Sequence, residues 1–211
     1  MRDIPTERAA EFDRLIAEQA AVLTTAQAKA FFTPGVVQRR LEQRRWRRLC
    51  HGVLLVESGR LTRRQQLWAA VLAAGKDARL AGQAAAIEGG VKGLQPEPID
   101  VLLPTKSRWA VPRRRLPPEL PVRIHRTVIL PPRHRQAGRP PRTTVARAVI
   151  DGAAWAQSDE EARRLITRAC EQGRVTCTAL RKVLELFPSV RRHHLMIATI
   201  TEWEGGTERR P

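Results

Sequence analysis

The chain has 211 residues, of which 38 are Lys or Arg and 21 Asp or Glu, for a formal charge of +17, and 42% are hydrophobic. That length suits a small module plus a second domain of ordinary size, and the apolar fraction is enough for a core, which excludes a disordered chain. No run approaches the roughly 18 uninterrupted apolar residues of a membrane span, and the early acids Asp3, Glu7, Glu11 and Asp13 do not fit the basic start and apolar middle of a secretory leader, so a cytoplasmic location is expected.

The surplus of positive charge points to a polyanion, because a basic surface releases counterions when it binds one. Of the 38 basic residues 33 are arginine and five lysine, a skew that a GC-rich genome produces by itself, so charge alone does not identify the polyanion. Cys50, Cys170 and Cys177 are odd in number and include no Cys-x-x-Cys pair. They fit neither a disulfide framework nor a zinc site and are expected to be reduced and structural.

From Thr6 to Gln19, Ala9, Phe12, Leu15 and Ile16 recur at helical spacing and predict a first helix with one apolar stripe. A short apolar link, Ala21 to Leu23, follows. Thr24 with Gln27 has the Thr-x-x-Gln form of a capping box and predicts a short second helix to about Phe32. Thr33 before Pro34 is a further start signal, since threonine can cap free amides and proline is preorganised for the first helical position. Three helices with a tight connection between the last two outline a helix-turn-helix, whose second member enters the major groove.

On that third helix Val36, Val37 and Leu41 can face a core, and counting about 100 degrees per residue puts Gln38, Arg39, Glu42 and Gln43 away from it. Arginine can bond both major-groove acceptors of guanine and glutamine can pair with adenine, so Gln38, Arg39 and Gln43 are candidate base readers. A solvated amphipathic helix is the alternative. What tips the balance is the segment from Arg44 to Val56, where two strand-like runs flank a turn near His51-Gly52 and form a plausible wing. Arg45, Arg47 and Arg48 would neutralise phosphates there, with Trp46, Leu49 and Val53 packed beneath. His51 reads as a turn residue, not a catalyst.

Thr62 with Gln65 is a second capping-box pattern, ahead of Leu67 to Ala74, and Gln83 to Glu88 is helical up to the Gly89-Gly90 break. Ile99 to Leu103 is apolar enough for a central strand, and Val122 to Thr127 alternates, with Arg123, His125 and Thr127 on one face. Residues 106–142 hold eleven Lys and Arg against one Glu, together with eight prolines, and read as loop rather than core. There Arg113, Arg114 and Arg115 are candidate contacts to a phosphate backbone, although a solvated basic loop accounts for them equally. Trp109 can stack on a base or simply anchor the loop.

From Val145 the pattern is helical. Ser158 with Glu161 forms another capping box, Ala162, Leu165, Ile166 and Ala169 form a stripe closed by Gly173, and Leu180, Val183, Leu184, Leu195, Ile197 and Ile200 continue it as a helical bundle. Asp100 has only the isolated Lys106 downstream, short of the carboxylate and Glu-x-Lys set that a restriction-type nuclease needs. His193-His194 lacks spaced companions for a metal. With no phosphate loop or nucleophile elbow either, a non-enzyme without cofactor or metal is expected.

Leu41, Arg45-Trp46-Arg47-Arg48-Leu49 and Gly52-Val53 together resemble the winged-helix domain of the AbiEi-type antitoxins of type IV toxin-antitoxin systems and related actinobacterial regulators. The chain departs from that pattern with Arg44 at a turn glycine, Leu54 at a tyrosine and Ala81-Gly82 in place of a Ser-His pair. Arg64 to Ala70, Gly75, Ala84 to Ala86, Ile99 to Pro104, Val122 to Arg126 and Thr144 to Asp151 look like further landmarks of the family, in order.

The resemblance implies a regulator that represses its own promoter on double-stranded DNA and, in some members, neutralises a nucleotidyltransferase toxin. Longer relatives continue into a domain similar to Vsr endonucleases, and this chain looks truncated or naturally short where that domain would begin. The expected fold is α+β: a winged helix-turn-helix over residues 1–60, then an AbiEi-like α+β domain over 61–211 with a small mixed sheet, the basic loop 106–142 and a C-terminal helical bundle. The targeting portion of a Vsr-like endonuclease and a general RNA-binding protein are the alternative readings.

Overall fold

The structure is a computed structural model that describes residues 6–95, 97–107 and 116–207. The described residues are mixed α/β, with two sheets among them. In order run α1 (Thr6–Glu18), β1 (Val22–Thr24), α2 (Thr25–Phe31), α3 (Pro34–Glu42), β2 (Arg47–Cys50), β3 (Val53–Leu55), α4 (Arg63–Ala74), β4 (Arg79–Leu80), α5 (Gly82–Glu88), β5 (Ile99–Pro104) and β6 (Val122–Thr127). A 3-10 turn at Pro132–His134 leads to β7 (Arg135–Gln136), β8 (Arg142–Thr143), α6 (Val145–Trp155), α7 (Asp159–Glu171), α8 (Cys177–Leu184) and α9 (His193–Thr207). The first sheet has the order β1-β3-β2 and the second β6-β5-β4-β8-β7.

The chain divides into two compact units. One gathers the described residues of Met1–Arg79, Val101–Ile129 and Gly138–Pro141, the other those of Leu80–Asp100, Leu130–Ala137 and Arg142–Pro211.

In the first unit local signals set the helices. Thr24 accepts from the Gln27 amide at 3.1 Å while the Gln27 side chain accepts from the Thr24 amide at 2.8 Å, so the reciprocal box forms as the spacing requires. Thr62 and Gln65 repeat it at the start of α4. Thr33 occupies the N-cap of α3 without a side-chain cap bond, and Pro34 alone carries that start signal. The expected apolar link is instead strand β1, because Val22, Leu23 and Thr24 pair with Leu55, Leu54 and Val53.

Seven buried residues, Phe12, Leu23, Ala28, Phe32, Val37, Trp46 and Leu54, form the core beneath α1–α3 and the first sheet. The rings of Phe12 and Phe32 meet edge to face at 5.0 Å and those of Phe32 and Trp46 at 5.3 Å. Each such pair adds about 0.5–1.5 kcal/mol to the burial itself.

In the second unit α6, α7, α8 and α9 pack on one another, and α5 packs on α6. Gly152 of α6 permits a close approach: a Cβ there would stand 2.6 Å from Leu165 Cδ2 of α7. Leu165, Ile166, Leu180 and Leu184 are buried as their spacing predicts. On α9 the inward positions fall to Met196 and Ile200, while Leu195 and Ile197 are half-buried.

The stretch 106–142 is also less of a loop than its prolines suggest. Besides β6 it supplies β7 and the buried side chains Leu120, Leu130 and His134. Proline stops regular ladders but does not keep neighbouring leucines out of a core.

Candidate nucleic-acid interface

The helix α3 buries Val37 and half-buries Val36 and Leu41 against the first unit's core. With that face fixed, the 3.6-residue repeat leaves Gln38, Arg39 and Glu42 exposed, and Gln43 exposed at the C-cap. Arg40 turns the other way. Its guanidinium lies over the Phe32 ring at 4.3 Å and over Trp46 at 5.1 Å, a cation-π arrangement that uses the charge to cover the aromatic core.

The chain leaves α3 through a left-handed residue, Arg44, with φ +54°. The Arg44 amide donates to Leu41 O at 3.0 Å and the Arg45 amide to Arg40 O at 3.0 Å. Those two bonds are the Schellman pattern, which glycine normally occupies. A non-glycine residue thus closes the tight turn, and the turn points the chain directly into β2.

Strand β2 carries Arg47, half-buried, and Arg48, exposed, and pairs antiparallel with β3 in the register Arg47↔Leu55 and Arg48↔Leu54. Leu49 sits at an irregularity in that ladder and is buried, as are Trp46 and Cys50. Burial pushes the Cys50 thiol up to about 11, so it stays protonated and inert at neutral pH. At the hairpin turn Gly52 takes φ +78°, a conformation that favours glycine, and His51 is exposed beside it.

Between α3 and β2 lies an open groove of about 580 Å³. It brings together Gln38, Arg47 and Arg48 from the predicted set and adds Arg44, Glu42 and Gly59. Arg39, Gln43 and Arg45 are exposed but do not line it. Arg113, Arg114, Arg115 and Trp109 lie outside the described residues.

Two contacts temper the positive surface. Gln38 Nε2 donates to Glu42 Oε1 at 2.9 Å, one turn along the same helix. Arg47 Nη1 meets Glu119 Oε1 at 3.4 Å, whereas Arg47 Nε and Nη2 are buried without a hydrogen-bond partner. Unpaired buried donors on a cation are costly to leave and favour an arriving acceptor.

Sequence reasoning missed Arg44 as a groove residue, because it entered only as a departure from a glycine. It also missed Glu119, which lies 72 positions from Arg47. The arrangement offers guanidinium and carboxamide groups for recognition. Among the described residues no group of three or more His, Cys, Asp or Glu stands ready to hold a metal ion. Asp100 is buried beside Gly82, whose φ of +52° and closeness to Asp100 Oδ2 and the Trp155 ring leave no room for a Cβ. The rings of His193 and His194 lie edge to face with centroids 5.8 Å apart. No helix among the described residues is long and apolar enough to cross a membrane. No protein-family model matches the chain, and no curated protein matches it.

Proposed function

We propose that the chain is a sequence-specific regulator that binds duplex DNA through α1–α3 and the first sheet, acting as a winged helix-turn-helix. In this reading α3 enters the major groove and the β2–β3 hairpin is the wing. One observation carries the proposal: a helix locked to its core by Val37 presents Gln38, Arg39 and Gln43 outward, and the strand that follows brings Arg47 and Arg48 to the groove that Gln38 lines. Nine residues at about 1.5 Å each span roughly 13 Å, enough to place side chains against three or four successive base pairs.

Roles divide by position. Gln38 and Arg39 read base edges, Gln43 reads at the helix end, and Arg45, Arg47 and Arg48 grip phosphates. Arg113, Arg114 and Arg115 remain assigned to the backbone on charge alone. The protein acts by binding and carries out no chemistry. The resemblance to AbiEi-type antitoxins suggests its own promoter as the DNA and a nucleotidyltransferase toxin as a protein partner.

The test is fluorescence anisotropy on the upstream promoter, a scrambled duplex and single-stranded RNA across a salt series. A promoter preference that survives physiological salt is expected, with each neutralised phosphate adding about 0.9 to the negative log-log slope. Equal affinity for all three, vanishing with salt, would sink the regulator. Arg39→Ala should relax base preference while leaving the salt slope unchanged within error, and an unchanged preference would displace α3 from the major groove.

A further inference from the structure

The second compact unit contains a cavity of about 590 Å³ that DNA binding does not use. This volume falls within the range of small-molecule sites, roughly 300–1,000 Å³. Its lining combines two kinds of surface. Ala146 of α6 with Ala179 and Val183 of α8 form an apolar wall, and Arg133 and Lys182 bring positive charge. Neither cation forms an ion pair with a described residue.

Two further features point to an anion. The N-terminus of α6 opens onto the cavity through Thr144 and Ala146, Thr144 makes no side-chain bond to the first-turn amides, and no acid occupies that turn. A helix start left uncapped in this way presents free N–H groups and the positive end of the dipole. Independently, His134 lines the cavity at 5% exposure, and its Nδ1 has no hydrogen-bond partner. A buried imidazole nitrogen without a partner is expensive to maintain and is satisfied by a polar group brought in from outside. Burial first, then the charges of Arg147 and Arg133, hold the His134 pKa below its ordinary value, so the ring is neutral at neutral pH and can serve as a hydrogen-bonding group.

We propose that this cavity binds a small organic anion, its charged group held by Arg133, Lys182 and the start of α6 and its apolar body against Ala146, Ala179 and Val183. An inorganic anion would leave the apolar wall uncovered, and a neutral apolar molecule would leave both cations and the His134 Nδ1 atom without a partner. Glu185, the acid on the lining, works against the ligand's charge.

The experiment titrates the full chain with 8-anilinonaphthalene-1-sulfonate, a fluorescent sulfonate with an aromatic body, and then displaces it with octanoate or with inorganic phosphate. One saturable site is expected, emptied by octanoate and not by phosphate at the same concentration. Arg133→Gln with Lys182→Gln should weaken it by about tenfold or more, and Glu185→Gln should tighten it by about threefold. These three positions are at the surface, so circular dichroism should match the parent chain. Ala179→Phe should fill the cavity and abolish the signal. Non-saturating fluorescence, or affinity that ignores the charge variants, would place the probe elsewhere and overturn the site. Equal displacement by phosphate would remove the apolar half of the assignment. None of these readouts involves DNA, so the outcome is separate from that of the promoter experiment.

Discussion

In the C-terminal helices Arg147 meets Asp151 at 2.8 Å, Arg181 meets Glu204 at 2.7 Å and Arg192 meets Asp159 at 2.6 Å, with Arg163–Glu202 and Arg164–Glu160 further out at 3.6 and 3.8 Å. Across Val145 to Thr207, nine Lys and Arg stand against eight Asp and Glu. From Pro34 to Gly59 six arginines face two acids, and Arg44, Arg45 and Arg48 form no ion pair with a described residue. The same side chain is a structural clamp in one region and, at Arg44, Arg45 and Arg48, a cation outside any ion pair with a described residue in the other. Net charge sets the overall attraction for a polyanion, but the local scarcity of acids is what marks the place where one can bind.

The sharpest way to break this contrast is to remove one carboxylate that pairs with an arginine of each region. Arg147 is 2% exposed and Asp151 7%, and the guanidinium also lies 4.3 Å from the Phe187 ring centre. Asp151→Ala leaves a buried cation without its counter-charge and should cost about 3–5 kcal/mol in urea unfolding. Glu119, at a pair 37% and 45% exposed, should cost under about 1 kcal/mol when neutralised. Similar losses at the two sites would mean that the clamp and the surface pair do not differ in kind.

DNA binding should show the reverse order. Arg47→Ala should weaken duplex binding by about tenfold at low salt and flatten the log-log slope by about 0.9, as loss of one phosphate contact requires. Arg163→Ala, which removes a cation paired with Glu202, should leave both quantities within error. If the two substitutions act alike, the interface is generic charge. Glu119→Gln frees Arg47 from its acid and should tighten binding by about threefold, and a weakened complex would show that Glu119 orients Arg47 instead of competing for it.

What was legible beforehand follows the range of the interactions. The capping boxes at Thr24/Gln27 and Thr62/Gln65 need only four consecutive residues, and the exposure of Gln38, Arg39 and Glu42 follows from counting around a helix whose apolar face was evident. Ser158 with Glu161 looked the same and is only half a box. Ser158 Oγ accepts from the Glu161 amide, but the Glu161 carboxylate reaches the Gln157 amide at 2.6 Å and Gln83 of α5 at 2.7 Å. A glutamate 78 positions from Gln83 has no local reason to prefer it. Strand β1 is too short to show alternation and exists because β3 is there to pair with it. The groove is tertiary in the same sense: Arg44 and Arg47 enter it through a turn and a bulged ladder, and Glu119 arrives from a proline-rich segment that composition had set aside as loop.

The smallest expected effect lies at that turn and separates fold from function within one residue. At φ +54°, Arg44 has a left-handed conformation that costs an L-residue about 1–2 kcal/mol, and glycine adopts it freely. Glycine gives back part of that gain through the larger freedom of the unfolded chain, so Arg44→Gly should stabilise the protein by a net of about 0.5–1 kcal/mol. Arg44 also lines the groove, and its loss should weaken DNA binding by about twofold. A more stable protein that binds less tightly would mean that the arginine is held in a strained turn for the sake of its charge. A more stable protein with unchanged affinity would remove Arg44 from the interface and leave the groove to Gln38, Arg47 and Arg48.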